Sequence, residues 1–322
     1  MINVLVSGVG GDVGQGVIRC LNKSDLQLRI FKISSSVDDS WLYLDDDCFI
    51  SPTIYEDYIS YLIKFINTHK IDIFFPCIDL EIPIISKNKD KIQSETNCKV
   101  FVDEYSKIQI CDDKFMTAKY LEDFCLPYPE TNLVATINHN KFPVIIKSRK
   151  GCGSKDIHLI NSKEEIRPFL NNEDYIIQEY LDGDEYTAGV YLGDDNKIKG
   201  VCVLKRTLKD GSTYTAERIL DLKLEEEVAA IASHVKMKYL NIQFRLKNEK
   251  VCPFELNGRF SGTTGIICNV FNAPEMAIKE LVLKENVSPR LHNKKFHVMR
   301  YYEEIFTTPE QREKLVARSK ND

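Results

Sequence analysis

Between residues 239 and 257 apolar and polar side chains alternate on both sides of a short turn. In Tyr239-Leu240-Asn241-Ile242-Gln243-Phe244-Arg245-Leu246 the apolar set Leu240, Ile242, Phe244 and Leu246 faces one way. Asn241, Gln243 and Arg245 face the other. Asn248-Glu249-Lys250 reads as a turn, and residues 250–256 as the return strand of a hairpin. If that strand continues through Gly258, then Glu255, Asn257 and Arg259 share one face, with Gln243 beside Glu255 and Asn257. A carboxylate and amide oxygens suit Mg²⁺, and a guanidinium suits phosphate. Gly258 permits close approach of a backbone or ligand. A solvated edge hairpin would produce the same alternation.

The other end of the chain has a different grammar. Residues 2–7 are continuously apolar, as in a buried parallel strand. Gly8, Gly11 and Gly14 follow in a Gly-x-x-Gly-x-x-Gly loop, and Val17, Ile18 and Leu21 open a helix. Strand, glycine loop and helix present backbone N–H groups, here at Gly10 and Gly11, to a substrate anion. A tight turn packing helix on sheet is the alternative. The second strand, 28–33, ends in serines, with Asp38 the nearest acid. A nicotinamide site is therefore poorly supported. Residues 55–68 have helical periodicity, 71–75 form another buried strand, and 99–102 a fourth. Asp79 and Glu81 fall just beyond the third strand, where they can meet a substrate amine or cap the next helix. Residues 1–111 thus form one α/β unit.

With 322 residues the chain can build two or three lobes. Lys plus Arg number 43 and Asp plus Glu 48, a net charge of −5. No dense basic stripe is present, so no nucleic-acid partner is expected. The ten cysteines and six histidines have no metal-ligand spacing, which favours reduced thiols in a cytoplasmic protein. The N-terminus does not read as a signal peptide, and no apolar run reaches membrane-spanning length, so no membrane partner is expected.

In the middle, a helix opens at Asp112-Asp113-Lys114 and runs to about Phe124, before Pro127 and Pro129. The strand 143–147 ends in Lys147. Residues 148–155 make a basic glycine loop, and a strand resumes at 156–160. Strand, loop, strand is not a Walker arrangement. It suits a hairpin closing over polyphosphate, or an ordinary solvated tip. A capping box at Ser162–Glu165 starts a short helix. Strands at 174–180, 186–192 and 198–205 follow, then helices at 225–237 and from about 274 to 283. The last sixteen residues are charged and are expected to fray.

In this order, the pieces resemble the ATP-grasp superfamily, above all its branch related to the carbamoyl phosphate synthetase large subunit. The resemblance covers roughly residues 1–306. It implies α/β architecture with α+β lobes: an N-terminal Rossmann-like (pre-ATP-grasp) domain at 1–111, a small lid lobe at 112–184, and a large lobe at 185–306 carrying the metal site. Residues 307–322 remain as a charged tail. It also implies roles by position. Lys114 and Lys147 match phosphate-binding cations, and Lys150, Gly151, Gly153 and Ser154 fall in the lid. Glu179, Tyr180 and Leu181 lie at the adenine hinge, and Glu185 matches the ribose ligand. Gln243, Glu255 and Asn257 match the Mg²⁺ ligands, with Mn²⁺ an alternative ion. Gln243 departs from the carboxylate often found there. Arg259 matches the arginine that steadies the transferred phosphate. Lys205, Arg206 and Arg218 are candidates for holding a substrate carboxylate; solvated cations read the same way.

The implied activity is an ATP-dependent, ADP-forming ligase. A small-molecule carboxylate is activated as an acyl-phosphate and attacked by an amine. Two anions must be brought together, so neutralisation and positioning carry the catalysis. A kinase on a small acid or amide shares the same ATP site, and a reductase or epimerase at the glycine loop is a further alternative. The resemblance also makes a homodimer an expectation, without naming its interface.

Overall fold

Three short apolar runs become the central strands of a parallel sheet. The structure, a computed structural model, describes residues 1–134, 141–151, 156–289 and 294–320. β1 (Ile2–Val6) buries Val4, Leu5 and Val6 completely. The glycine loop leads into α1 (Asp12–Leu21), and β2 (Leu28–Ser34), β3 (Cys48–Ile50), α2 (Tyr58–His69) and β4 (Ile73–Phe75) follow. Then come α3 (Glu81–Lys87), α4 (Lys89–Glu95), β5 (Lys99–Val100) and α5 (Tyr105–Asp112). The strands lie parallel in the order β3-β2-β1-β4-β5. At Gly14 a side chain would run into the backbone of Ser7 and Gly8, so the missing Cβ lets α1 lie against the end of β1.

α6 (Lys114–Asp123) begins with a side-chain cap. Asp113 accepts from the amides of Phe115 and Met116. Next come β6 (Thr131–Leu133), β7 (Val144–Ser148), β8 (Ile157–Ile160), α7 (Lys163–Ile166) and β9 (Tyr175–Glu179). The four strands form an antiparallel sheet in the order β6-β9-β7-β8. Its small core is its own, with Val144, Ile146, Ile160 and Ile177 at the centre. The expected capping box at α7 does not form: Ser162 makes no side-chain cap bond, and Glu165 accepts instead from the Asn161 amide and the Ser162 hydroxyl.

The third sheet contains β10 (Tyr186–Leu192), β11 (Ile198–Lys209) and β12 (Ser212–Ile219). After α8 (Leu222–Val235) come the hairpin β13 (Tyr239–Lys247) and β14 (Lys250–Asn257), α9 (Thr264–Ile267), α10 (Ala273–Leu281) and β15 (His297–Met299). The order is β14-β13-β10-β11-β12-β15, with every neighbouring pair antiparallel. Leu240, Ile242 and Phe244 face the apolar side of α8, which presents Val228, Ile231 and Ala232. That core continues without a break into Leu5, Phe31 and Phe74 of the first sheet.

The C-terminal residues differ from the expected frayed tail. α11 (Pro309–Lys320) is an ordered helix whose Leu315 is 1% exposed. It packs on β3: Ser319 Oγ accepts from the Ile50 amide at 2.7 Å, and Arg318 lies over the Phe49 ring. The helices α3, α4 and α5 and the strands β3, β6 and β12 also go beyond the sequence reading. Each is short or irregular in pattern, and long-range pairing decides it.

Candidate active site

The hairpin β13–β14 is in the register its alternation implied. Gln243 stands opposite Glu255, and Asn241 opposite Asn257. A bulge falls after Gln243, where Phe244 pairs with Pro253 and Phe254 becomes the extra residue. Pro cannot donate to the ladder, so a bulge accommodates it. The Phe254 ring and carbonyl both meet Lys147. The Nζ is 3.4 Å from the carbonyl oxygen and 5.3 Å from the ring centroid. Lys147 is 5% exposed, and burial pushes its ammonium down to about 8, although Glu255 pulls it up.

From here a series of hydrogen bonds crosses the lobe. Arg206 donates to Glu185 at 2.7 Å and to Gln243 Oε1 at 2.8 Å. Gln243 Nε2 lies 3.4 Å and Asn257 Nδ2 3.1 Å from Glu255 Oε1. Arg259 reaches Asn257 Oδ1 at 3.5 Å, and its Nε donates to Asp79 beyond β4. Phe260 anchors this end. Its ring is buried among Phe75, Phe101 and Tyr239, so Arg259 is held facing the N-terminal sheet.

Beside this series, Lys147, Glu185, Phe254, Tyr180 and Leu181 line a cleft of about 120 Å³ between the small and large sheets. β9 ends at Glu179 and β10 begins at Tyr186, so residues 180–185 cross between the lobes here. The Glu179 amide donates to the Glu130 carbonyl, and its carboxylate pairs with Lys247 at 2.7 Å. Lys114 donates to the Gly151 carbonyl at 2.8 Å, tying the start of α6 to the basic loop. Lys150 is largely exposed, 4.0 Å from Asp112. Gly153 and Ser154 lie outside the described residues.

Several sequence candidates sit elsewhere. Glu81 is not a substrate contact. It is 0% exposed and accepts from Ser7 and Tyr58 and from the amides of Cys77 and Ile78. Its buried site raises the carboxyl, and the four donors oppose that rise. Arg218 is also withdrawn: it is buried against Glu225 and the carbonyls of Val203 and Ile219. Lys205 forms an exposed pair with Asp184 at 2.6 Å. Arg206 belongs to the Glu185–Gln243 end of the site, not to an acceptor pocket. Gly10 lies under the Asp39 carboxylate, and Gly11 starts α1 with its amide bonded to Gly8. The space beside Gly258 is filled by Met237. The sequence reading missed Arg245, which binds the Gly183 carbonyl and approaches Glu185 at 3.8 Å. Strand parity was the available signal, because Gln243 and Arg245 share a face.

The donor set suits one hard cation. Among the described residues no three His, Cys, Asp or Glu side chains cluster as a metal site. Glu255 is the lone carboxylate, flanked by the Gln243 and Asn257 amides. Mg²⁺ is commonly held by one or two carboxylates together with substrate phosphates, so these residues fit it. Gln243 Oε1 is already engaged by Arg206, which makes it the weakest of the three.

Residues 111–263 match the family model described as ATP-grasp domain. A carbamoyl-phosphate synthase of Methanobrevibacter smithii is 24% identical over 119 residues, 35% of this chain and 32% of that protein. An uncharacterized protein of Mycoplasma genitalium is 31% identical over 99 residues, 30% of this chain and 34% of that one. The chain thus spans about a third of the length of these curated relatives. Among solved structures, the N5-carboxyaminoimidazole ribonucleotide synthetase of Thermus thermophilus superposes with TM-score 0.71 at 12% identity, covering 92% of this chain and 82% of that one. The L-amino acid ligase of Bacillus licheniformis gives 0.65 at 12%, covering 87% and 74%. Over residues 111–263 the chain thus carries an ATP-grasp domain.

Proposed function

We propose that this protein is an ATP-dependent, ADP-forming carboxylate–amine ligase. One observation carries the reading. The series Glu185–Arg206–Gln243–Glu255–Asn257–Arg259–Asp79 runs unbroken from the interlobe cleft to the C-terminal edge of the parallel sheet. Nucleotide at one end and carboxylate at the other would then meet over Glu255 and Arg259. The synthetase and ligase named among the structural neighbours are consistent with this chemistry.

The chain's residues divide the work. Tyr180 and Leu181 offer an apolar wall to the base, and Glu185 two acceptor oxygens to the ribose. Lys147 and Lys114 hold the phosphates, the first as a partly desolvated cation whose charge an arriving phosphate would secure. Glu255, Asn257 and Gln243 would hold Mg²⁺, which when bound neutralises phosphate charge and orients the terminal group. Arg259 sits where charge grows on the transferred group, held there by Asp79 and the Phe260 carbonyl. A substrate carboxylate oxygen forms the new bond to the γ-phosphorus as the bond to ADP breaks. The amine then attacks the acyl carbon, phosphate leaves, and the amine gives up a proton. Buried thiols such as Cys20, Cys77, Cys111 and Cys202 favour a reducing compartment, in keeping with a cytoplasmic enzyme.

The test is nucleotide turnover with Mg-ATP and pools of small carboxylates and amines, read by phosphorus NMR, with Glu255→Ala as control. ADP and phosphate formed only with an acid–amine pair, and lost in the control, support the ligase. A new phosphorylated product without amine dependence makes the protein a kinase instead. No ATP binding by the folded protein overturns the reading.

A further inference from the structure

The six-stranded sheet ends at β15, and among the described residues no strand pairs with its outer edge. Arg300 donates its amide to the Tyr214 carbonyl, and the Phe296 carbonyl accepts from Arg218. With Ala216 opposite Val298, the even-numbered residues 296, 298 and 300 therefore face β12. By the alternation of an antiparallel strand, the N–H and C=O groups of His297 and Met299 point the other way, and the same alternation carried past the strand would add Tyr301. The segment around them is rich in strand formers, with Phe296, Val298, Tyr301, Tyr302, Ile305 and Phe306, and it has no proline until Pro309. Met299 is 76% exposed, Tyr301 82%, Tyr302 83% and Phe306 92%. β15 is itself only three residues long, one of the ways in which edges are ordinarily blunted, but the exposed side chains continue past it to Phe306.

The segment is also polarised in charge. Lys294, Lys295, His297 and Arg300 lie in its first half, and Glu303 and Glu304 in its second. Arg300 is turned inward onto Asp12 and the Gly262 carbonyl. A strand that is basic at one end and acidic at the other complements a second copy of itself laid antiparallel.

We propose that two copies of this chain associate through β15 about a two-fold axis at Met299, joining their six-stranded sheets into one. The register follows from two constraints. The outward-facing residues 297, 299 and 301 must bond one another, and the charges must alternate. Met299 opposite the second copy's Met299 satisfies both. His297 then faces Tyr301, Lys295 faces Glu303 and Lys294 faces Glu304. The same register sets Tyr302 beside the partly buried Phe296, covering the Tyr302 ring that a single copy leaves in water. The interface is isologous, so it closes on itself as a dimer and does not propagate. It lies on the sheet edge opposite β14, so it does not depend on the ligase reading.

Sedimentation equilibrium of the full chain tests this. The wild type is expected to be a dimer. Glu303→Lys with Glu304→Lys should weaken association by roughly tenfold or more through like-charge opposition. Adding Lys294→Glu and Lys295→Glu to that variant should restore it. Circular dichroism and thermal melting report whether each variant is folded, and Met299→Pro, which removes the amide at the axis, supplies an independent disruption. A wild type that is monomeric at all concentrations overturns the proposal. So does a dimer indifferent to Met299→Pro, or one that charge reversal weakens and the double reversal does not rescue.

Discussion

Lys147 of β7 reaches out of the small sheet to the Phe254 carbonyl on the bulge of β14, in the large sheet. A cation is thus buried at the joint between two lobes, with Glu255 exerting the largest favourable pull on its charge. The arrangement is costly without a ligand and well matched to a phosphate.

Replacing Lys147 by Met should therefore separate stability from binding. Burial lowers the ammonium from 10.5 to about 8, a differential of about 3 kcal/mol. A lowered lysine penalises the folded state fully below about 8, and the penalty fades as pH rises toward the unfolded value of 10.5. Lys147→Met should raise the unfolding free energy at pH 7 by up to about 3 kcal/mol, less at pH 10, while ATP affinity falls at least roughly tenfold. Urea unfolding at both pH values and calorimetric titration measure this. A variant less stable at pH 7 would contradict the assignment.

Arg259→Lys should lower kcat by roughly 10²-fold while changing ATP affinity little. Lysine cannot contact Asp79, Asn257 and the Phe260 carbonyl together. Steady-state kinetics with the substrates found by the turnover screen decide it. An equal loss in ATP affinity would move Arg259 from the transfer step to nucleotide binding.

Glu81→Ala should cost about 3 kcal/mol of stability, because it strands buried donors on Ser7, Tyr58, Cys77 and Ile78. Glu81→Gln, which keeps acceptor capacity, should cost less. Denaturant titration gives both values. Loss of turnover at unchanged stability would return Glu81 to the substrate site.

Leu315→Ala tests the C-terminal helix. A docked α11 predicts a loss of roughly 2–4 kcal/mol. A frayed tail predicts a change within about 0.5 kcal/mol.

The hairpin that carries Gln243, Glu255 and Asn257 was legible because one face of it is core, and burial on one face imprints a period of two. The Phe254 bulge was half legible: Pro253 inside a strand was its mark. Arg206 could have been separated from Lys205 by parity, because its amide bonds the Glu185 carbonyl and neighbouring residues on a strand face opposite ways. Glu81 was not legible. A carboxylate after a strand reads alike whether it meets solvent or four buried donors. The C-terminal helix was hidden for a related reason. Its polar sequence shows little apolar stripe, and what holds it is Phe49 and the Ile50 amide, far away in the chain.

The three sheets do not share their interiors equally. Both large apolar clusters contain residues of the parallel sheet and of the six-stranded sheet, whereas the four-stranded sheet keeps a separate cluster. Gly16 and Gly265 reinforce the first union, because α1 and α9 meet there backbone to backbone with no room for a methyl group. Arg259 and Asp79 are therefore built on a single stator. The small sheet, which carries Lys147, shares no apolar cluster with the other two, so displacing it would break few apolar contacts. On the proposed reading, nucleotide affinity and transfer geometry would depend on different mechanical parts, so a mutation that loosens the small sheet should be felt in ATP binding before it is felt at the transfer centre.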